Sequence, residues 1–295
     1  MQSSIAGGRW ARPARLEEAL AQLRSGGWTV LAGGTDLYPA WAGRAVDASL
    51  LDISGLDALR GISREPGETG EQLRIGALTT WTELLRAQLP RSLDALTLAA
   101  REVGGVQIQN RGTLGGNLCN ASPAADGLPA LLALDARVEL ASAGGVRTLP
   151  LADYVIGNRR TALRADELLT AVLLPLHEPA MRSLFLKLGH RRYLVISIAM
   201  AGFALAADAQ GRIAHCAVAV GACSAAARRL PELEARLLGR PADEIARGVD
   251  ALLDDRALAP LSPIDDVRGT ATYRREAVAQ LLARGLAELA AELAR

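Results

Sequence analysis

Two short stretches hold the residues of this chain best suited to chemistry. "AGGTDLYP" (32–39) sets a glycine pair directly after an apolar run, and "RGTLGGNLCNASPAAD" (111–126) interleaves Gly112, Gly115 and Gly116 with Thr113, Asn117, Asn120 and Ser122. Without Cβ atoms the backbone can take positive φ and turn successive N–H groups toward one point, which is how a backbone nest holds a phosphate oxygen. So dense a mixture of donors and absent side chains costs chain entropy on folding, and a bound ligand would offset that cost. Alone, each stretch is also an ordinary glycine turn or surface loop. Together, at the ends of separate strands, they could grip a pyrophosphate from both sides. The better-known nucleotide patterns are missing: there is no G-x-G-x-x-G between a strand and a helix, and no G-x-x-x-x-G-K-[ST].

Little else in the chain supports independent catalysis. His177, His190 and His215 have no ligand spacing, and no carboxylate pair or nucleophile–base couple stands out. Cys119, Cys216 and Cys223 are an odd number without paired spacing, which fits a reduced intracellular protein and cannot supply a four-thiolate iron–sulfur site. Cys119 lies inside the second glycine stretch and reads as a small polar filler.

The elements that position these stretches can be read from periodicity. Across 295 residues, 33 Lys and Arg nearly cancel 32 Asp and Glu, so no long-range field draws in nucleic acid or an anionic membrane, and any anion site must be local. No run of about 18 uncharged apolar residues occurs, so the chain is expected to be cytoplasmic, without membrane insertion. Leu16, Ala19, Leu20 and Leu23 predict a helix ended by Gly26-Gly27, and "WTVLA" (28–32) a strand leading into the first glycine turn. Further strands are expected at 49–54 and 73–78. Thr80 and Glu83 have capping-box spacing, which predicts a helix to about Gln88, with a second over Leu93 to Val103. "LPALLAL" reads as a short helix, "ARVELAS" and "VRTLPL" as a hairpin, and 167–175 as a buried strand. The texture changes at His177, Glu178 and Pro179, a domain boundary. Beyond it come three apolar antiparallel strands, then helices, the last running from Tyr273 to Leu293.

Six ordered blocks carry a resemblance: "LAGGTDLYP", "IGALTTWTEL", "VQIQNRGTLGGNLCNASPAADGLPALLALDA", "GNRRTALRADELL", "LKLGHRR" and "DDVRGTATYRREAV". Over nearly its whole length the chain resembles the FAD-binding medium subunit of the molybdenum hydroxylases, the xanthine dehydrogenase and carbon monoxide dehydrogenase family. The resemblance implies an α+β fold. A two-part FAD-binding domain of the vanillyl-alcohol oxidase-like (PCMH) type would span 1–178, with subdomains at about 1–58 and 59–178. A C-terminal α+β domain, with a three-stranded antiparallel sheet and a helical bundle, would span 179–295.

It also implies a site. Ala32, Gly33, Gly34, Thr35, Asp36 and Leu37, with Thr113, Gly115, Gly116 and Asn117, would clasp the FAD pyrophosphate, the glycines bringing peptide N–H groups to it. Ser122 and Asp126 match positions near the ribityl and adenosine part, Thr79 a turn close to the flavin, and Lys187 a lysine beside the isoalloxazine, where a cation favours the reduced, anionic flavin. No catalytic or metal-ligating residue is implied. The implied partners are a large subunit with the molybdenum cofactor, where substrate is hydroxylated, and a small subunit with two [2Fe-2S] clusters. FAD on this chain would collect the electrons and pass them to NAD, oxygen, a quinone or a carrier. The family often forms dimers of heterotrimers, and nothing in this chain counts copies. Two other readings stand beside this one: a stand-alone FAD oxidoreductase of the same superfamily, and a flavin-free scaffold that only docks other subunits.

Overall fold

The architecture below is that of a computed structural model, which describes residues 8–44, 47–68, 70–176 and 181–295. In chain order its elements begin with β1 (Trp10–Ala11), α1 (Leu16–Arg24), β2 (Trp28–Leu31), α2 (Leu37–Ala40) and β3 (Ser49–Asp52). The three strands pair in parallel in the order β1-β3-β2. Ala19, Leu20 and Leu23 of α1 bury against Leu51 and Ile53, as their helical spacing requires. The first glycine stretch therefore leaves the carboxyl end of β2, where open parallel sheets place their ligand crevices.

The middle of the chain folds as β4 (Ile62–Gly67), β5 (Gly70–Gly76), α3 (Trp81–Arg86), α4 (Asp94–Glu102), α5 (Val106–Gln109), α6 (Leu114–Asn120), α7 (Gly127–Ala133), β6 (Arg137–Ser142), β7 (Gly145–Pro150), α8 (Leu151–Tyr154), β8 (Val155–Gly157), β9 (Arg160–Thr161) and β10 (Leu168–Pro175). Five of these strands form an antiparallel sheet in the order β4-β5-β10-β6-β7. Central β10 is buried along nearly all its length, matching its unbroken apolar run. The capping box at α3 is formed in full: Glu83 N–H donates to Thr80 Oγ1 at 3.2 Å, and Thr80 N–H to Glu83 Oε2 at 2.7 Å.

The boundary expected at His177, Glu178 and Pro179 lies outside the described residues, and from residue 181 onward come β11 (Arg182–Leu188), β12 (Ala199–Ala207), β13 (Ile213–Gly221), β14 (Arg228–Arg229), α9 (Pro231–Leu237), α10 (Ala242–Arg247) and α11 (Ala271–Leu293). The three long antiparallel strands are those expected, and two-residue β14 adds a fourth at the edge of β13. The helices form a layer on one face of this sheet, α11 against β11 and β12, and α9 against β13. The other face packs on α4 and α7. Alternate residues of β12 serve the two faces: Met200 and Ala204 enter the middle core, while Ala201, Phe203 and Leu205 enter the C-terminal one. Small side chains permit this close approach, and Gly202 lies where a Cβ would stand 2.4 Å from the Pro129 carbonyl oxygen of α7.

Two expectations change. The 111–126 stretch is not wholly a loop, because Leu114–Asn120 is helical despite two glycines. Its first turn is held from outside by Thr79 O, which accepts from Leu114 N–H at 2.9 Å, and Ala77 O, which accepts from Gly115 N–H at 2.8 Å, and is capped locally by Thr113 Oγ1, which accepts from Gly116 N–H at 3.1 Å. The apolar spacing of "ADEIARGVDALL" (242–253) predicts one helix, but it stops at Arg247, since Gly248 turns the backbone to φ +148°, and a short 3-10 turn follows at 250–252.

Candidate functional site

A cleft of about 370 Å³ opens between the parallel and antiparallel sheets. One wall is the β2 end with Val30 to Leu37 and Ile53; the other is Ala77, Leu78, Trp81, the start of β10 and the loop into α6. Both glycine stretches converge on it. Of the residues expected at a site, Ala32, Gly33, Gly34, Thr35, Asp36, Leu37, Thr113, Gly115, Gly116 and Asn117 all line it.

The two loops meet backbone to backbone. A Cβ on Gly33 would stand 2.0 Å from the Arg111 carbonyl oxygen, so only glycine permits that approach. Gly34 has φ +74° and faces the Tyr38 ring, which a Cβ would reach at 2.4 Å. Among the described residues, the backbone N–H groups of Gly33, Gly34, Thr35 and Asp36 donate to no protein acceptor, and neither does that of Thr113. Half-buried N–H groups are almost always paired, so the free donors of Gly33, Gly34 and Thr35, continued by that of exposed Asp36, are prepared for an acceptor from outside the chain. Asn117 offers the opposite chemistry, a buried Oδ1 acceptor left unpartnered inside the cleft and suited to an N–H or O–H of a ligand.

Gly115 and Gly116 play a different part from the one expected. Their N–H groups are taken up by Ala77 O and Thr113 Oγ1, and Cβ atoms there would meet Ala77 Cβ at 2.7 Å and Thr113 Oγ1 at 2.8 Å. Their small size lets α6 seat against the strand end. The free donors come chiefly from the first loop.

Four expected residues lie apart from the cleft lining. Thr79 is buried, its hydroxyl donating to Gly61 O at 3.1 Å and its carbonyl accepting from Leu114 N–H, so it fastens α6 to the sheet. Ser122 Oγ accepts from Ala124 N–H at 3.3 Å in the turn before α7. Asp126 and Lys187 come together as a buried ion pair, Nζ to Oδ2 at 2.8 Å, with side chains only 10 % and 6 % exposed. Lys187 Nζ also donates to Glu102 O at 3.2 Å, the last residue of α4, where helix carbonyls lack intrahelical donors. Ser197 Oγ donates to the other Asp126 oxygen at 2.7 Å. Burial is the largest influence on Asp126 and pushes its carboxyl above the usual range, against the opposing pull of Lys187.

Sequence reasoning missed Trp81, Arg159, Leu163, Leu168 and Leu169 as cleft residues. Arg159 sits in the "GNRR" turn at φ +51°, its N–H on Ala121 O and its guanidinium on Asn120 Oδ1. The left-handed Arg159 was not signalled by any glycine. Cys119 lines the cleft with its Sγ 3.2 Å from Tyr154 Oη; the residue is exposed to the cleft, yet the protein around its sulfur strips enough water from the thiol to push it above the usual value and keep it protonated at neutral pH. Among the described residues no group of three or more His, Cys, Asp or Glu could hold a metal ion. The arrangement is suited to an elongated ligand with apolar ends and an anionic middle.

Comparison with known proteins covers the same span. The family described as the FAD binding domain in molybdopterin dehydrogenase matches residues 3–177, and the CO dehydrogenase flavoprotein C-terminal domain matches residues 185–289. The FAD-subunit of nicotinate dehydrogenase from Eubacterium barkeri is 36 % identical over 78 % of this chain and 79 % of its own. The medium subunit of nicotine 6-hydroxylase from Paenarthrobacter nicotinovorans is 30 % identical over 96 % and 97 %. In solved structures, a chain of carbon monoxide dehydrogenase from Hydrogenophaga pseudoflava superposes with TM-score 0.87 at 27 % identity, covering 99 % of each chain.

Proposed function

Because the chain belongs to the family of FAD-binding medium subunits of the molybdenum hydroxylases, we propose that its cleft holds FAD as the electron-carrying group of a multi-subunit oxidoreductase. The observation that carries the placement is the row of free N–H groups from Gly33 to Asp36, facing Thr113 and Asn117 across one cleft. These donors suit a diphosphate, and Val103, Ile108, Leu163, Leu168 and Leu169 supply apolar surface for ring systems. When bound, FAD supplies the capacity to take up electrons one at a time and release them singly or as a pair.

The chain's own residues bind, orient and shield. Gly33 and Gly34 let the first loop close on the second, Thr113 and Asn117 fix the opposite wall, and Trp81 closes the floor. Ser122, Asp126, Thr79 and Lys187 support these walls from behind: the Asp126–Lys187 pair ties the turn before α7 to β11, and so fixes the C-terminal sheet against the cleft-bearing part. No group here is arranged for acid–base work on an organic substrate, which fits a division of labour with other subunits.

We assign the domains as 1–178, divided near residue 58, and 179–295. The expected partners are a large subunit with the molybdenum cofactor and a small subunit with two [2Fe-2S] clusters, in a cytoplasmic complex. Among the described residues no helix is long and apolar enough to cross a membrane. The test is to isolate the chain with its partners and strip its flavin. Substrate should then still bleach the iron–sulfur absorption while electron delivery to the external acceptor stops, and returns on adding FAD. Undiminished delivery without flavin would sink the proposal and favour a scaffold.

A further inference from the structure

Beside the cleft lies a second cavity of about 400 Å³, sharing Ala32, Gly33, Leu78 and Thr113 as walls but lined otherwise by polar groups. Three arginines, Arg60, Arg86 and Arg111, line it with one acidic residue, Glu83, whose Oε1 lies 4.0 Å from the Arg60 guanidinium. Glu83 is already engaged, its Oε2 accepting from Thr80 N–H at 2.7 Å and Thr80 Oγ1 at 2.8 Å. Arg60 is fixed in place by bonds to Ser54 O at 2.9 Å and Leu78 O at 3.3 Å. Arg86 and Arg111 are different. Among the described residues neither of these exposed guanidiniums has a hydrogen-bond or ion-pair partner, so both are available to a ligand entering the cavity. Asn110 Oδ1 accepts from Thr82 Oγ1 at 2.7 Å, which orients the amide and leaves its N–H groups as further donors. The cavity thus gathers planar cationic forks and a neutral donor around one space, the chemistry that recognises a tetrahedral oxyanion with two negative charges.

We infer that this cavity binds a phosphoryl group, free or carried by a nucleotide, at a site separate from the FAD cleft. The separation follows from the wall between them: Gly33 packs directly on the Arg111 carbonyl, and Arg111 lines the second space but not the cleft. The ligand is small and polar at its bound end, since only Ala32 and Leu78 offer apolar wall.

The experiment is calorimetric titration of the flavin-loaded protein with inorganic phosphate and, separately, with ADP, at ionic strength held constant with chloride. Wild type is compared with Arg86→Ala/Arg111→Ala, whose side chains make no contact the fold needs. Saturable binding to wild type, weakened at least about tenfold in the double variant at unchanged FAD content and Tm, is the expected result, because each lost charge-assisted bond is worth about that factor or more. ADP binding more tightly than phosphate, with the same loss, identifies a nucleotide-borne group; ADP no tighter than phosphate identifies the free anion. Equal affinity in the two proteins, or no saturable binding, overturns the inference. So does displacement of FAD one for one by phosphate, which would make the cavity an arm of the cleft. A chain that carries no flavin but still binds phosphate through Arg86 and Arg111 would refute the FAD assignment and leave this one standing.

Discussion

Lys187→Met removes the cation from the most deeply buried ion pair at the junction of the cleft-bearing part and the C-terminal sheet. Asp126 would keep only Ser197 Oγ, at 2.7 Å, and its carboxylate would stay 10 % exposed with no countercharge. Breaking a buried pair from one side costs about 3–5 kcal/mol, most of it the uncompensated charge left behind. At about 2.1 cal/mol/K of unfolding entropy per residue over 295 residues, that lowers Tm by about 5–8 °C. The loss should also depend on pH in a definite direction. Burial already holds the Asp126 carboxyl above its ordinary value, and losing Lys187 raises it further. A carboxyl raised in the folded state binds more protons folded than unfolded, so its contribution is complete below the ordinary carboxylate value and declines as pH climbs toward the raised one. The variant should therefore lose stability over a wider pH span than wild type, at up to about 1.4 kcal/mol per pH unit within it. Circular-dichroism melts at stepped pH, from the ordinary carboxylate value upward, read that slope. Adding Asp126→Asn to Lys187→Met should recover much of the loss by deleting the stranded charge. A single variant within about 1 kcal/mol of wild type, with the same pH slope, would refute the reasoning, because a pair this buried cannot be broken that cheaply.

Gly33→Ala should abolish FAD retention, since its Cβ would lie 2.0 Å from the Arg111 carbonyl and must pry the two loops apart; full flavin content after purification would contradict the loop contact. Asn117→Ala should weaken FAD binding about 5- to 100-fold, because the cofactor loses an acceptor for one of its hydroxyl or N–H donors, without lowering the Tm of the flavin-free protein, in which that buried oxygen is orphaned at a cost of about 1–3 kcal/mol; fluorescence titration and a melt read the two halves. Cys119→Ser should keep FAD and all of it should remain releasable by acid, as expected for a thiol held protonated by burial rather than a covalent flavin ligand. Loss of acid-stable flavin on that substitution would reverse the conclusion.

What could be read from the chain alone was what is decided locally. The capping box at Thr80 and Glu83, the paired runs of β6 and β7 and the heptad-like Val278, Leu282, Leu286 and Leu289 of α11 need only near neighbours, and the structure forms them where expected. The convergence of the two glycine stretches was also legible, because absent side chains at strand ends have few other uses. Helix α6 was not. Gly115 and Gly116 are poor helix formers, and the bonds that stabilise the first turn come from Ala77 and Thr79, more than 30 residues earlier. Nor was the state of Lys187, since its partner Asp126 is 61 residues away and no spacing rule connects them. Trp81, Leu168 and Leu169 read as ordinary core because they also are core, each presenting one edge to the cleft.

The most direct test of the cleft is to purify the protein, release its non-covalent ligand with acid and quantify flavin per chain beside the Gly33→Ala variant. One FAD per wild-type chain and almost none in the variant is the outcome that the free N–H row and the closed loops require. Wild type that stays colourless after incubation with FAD, or a variant that retains it in full, would contradict the placement of the cofactor between these loops.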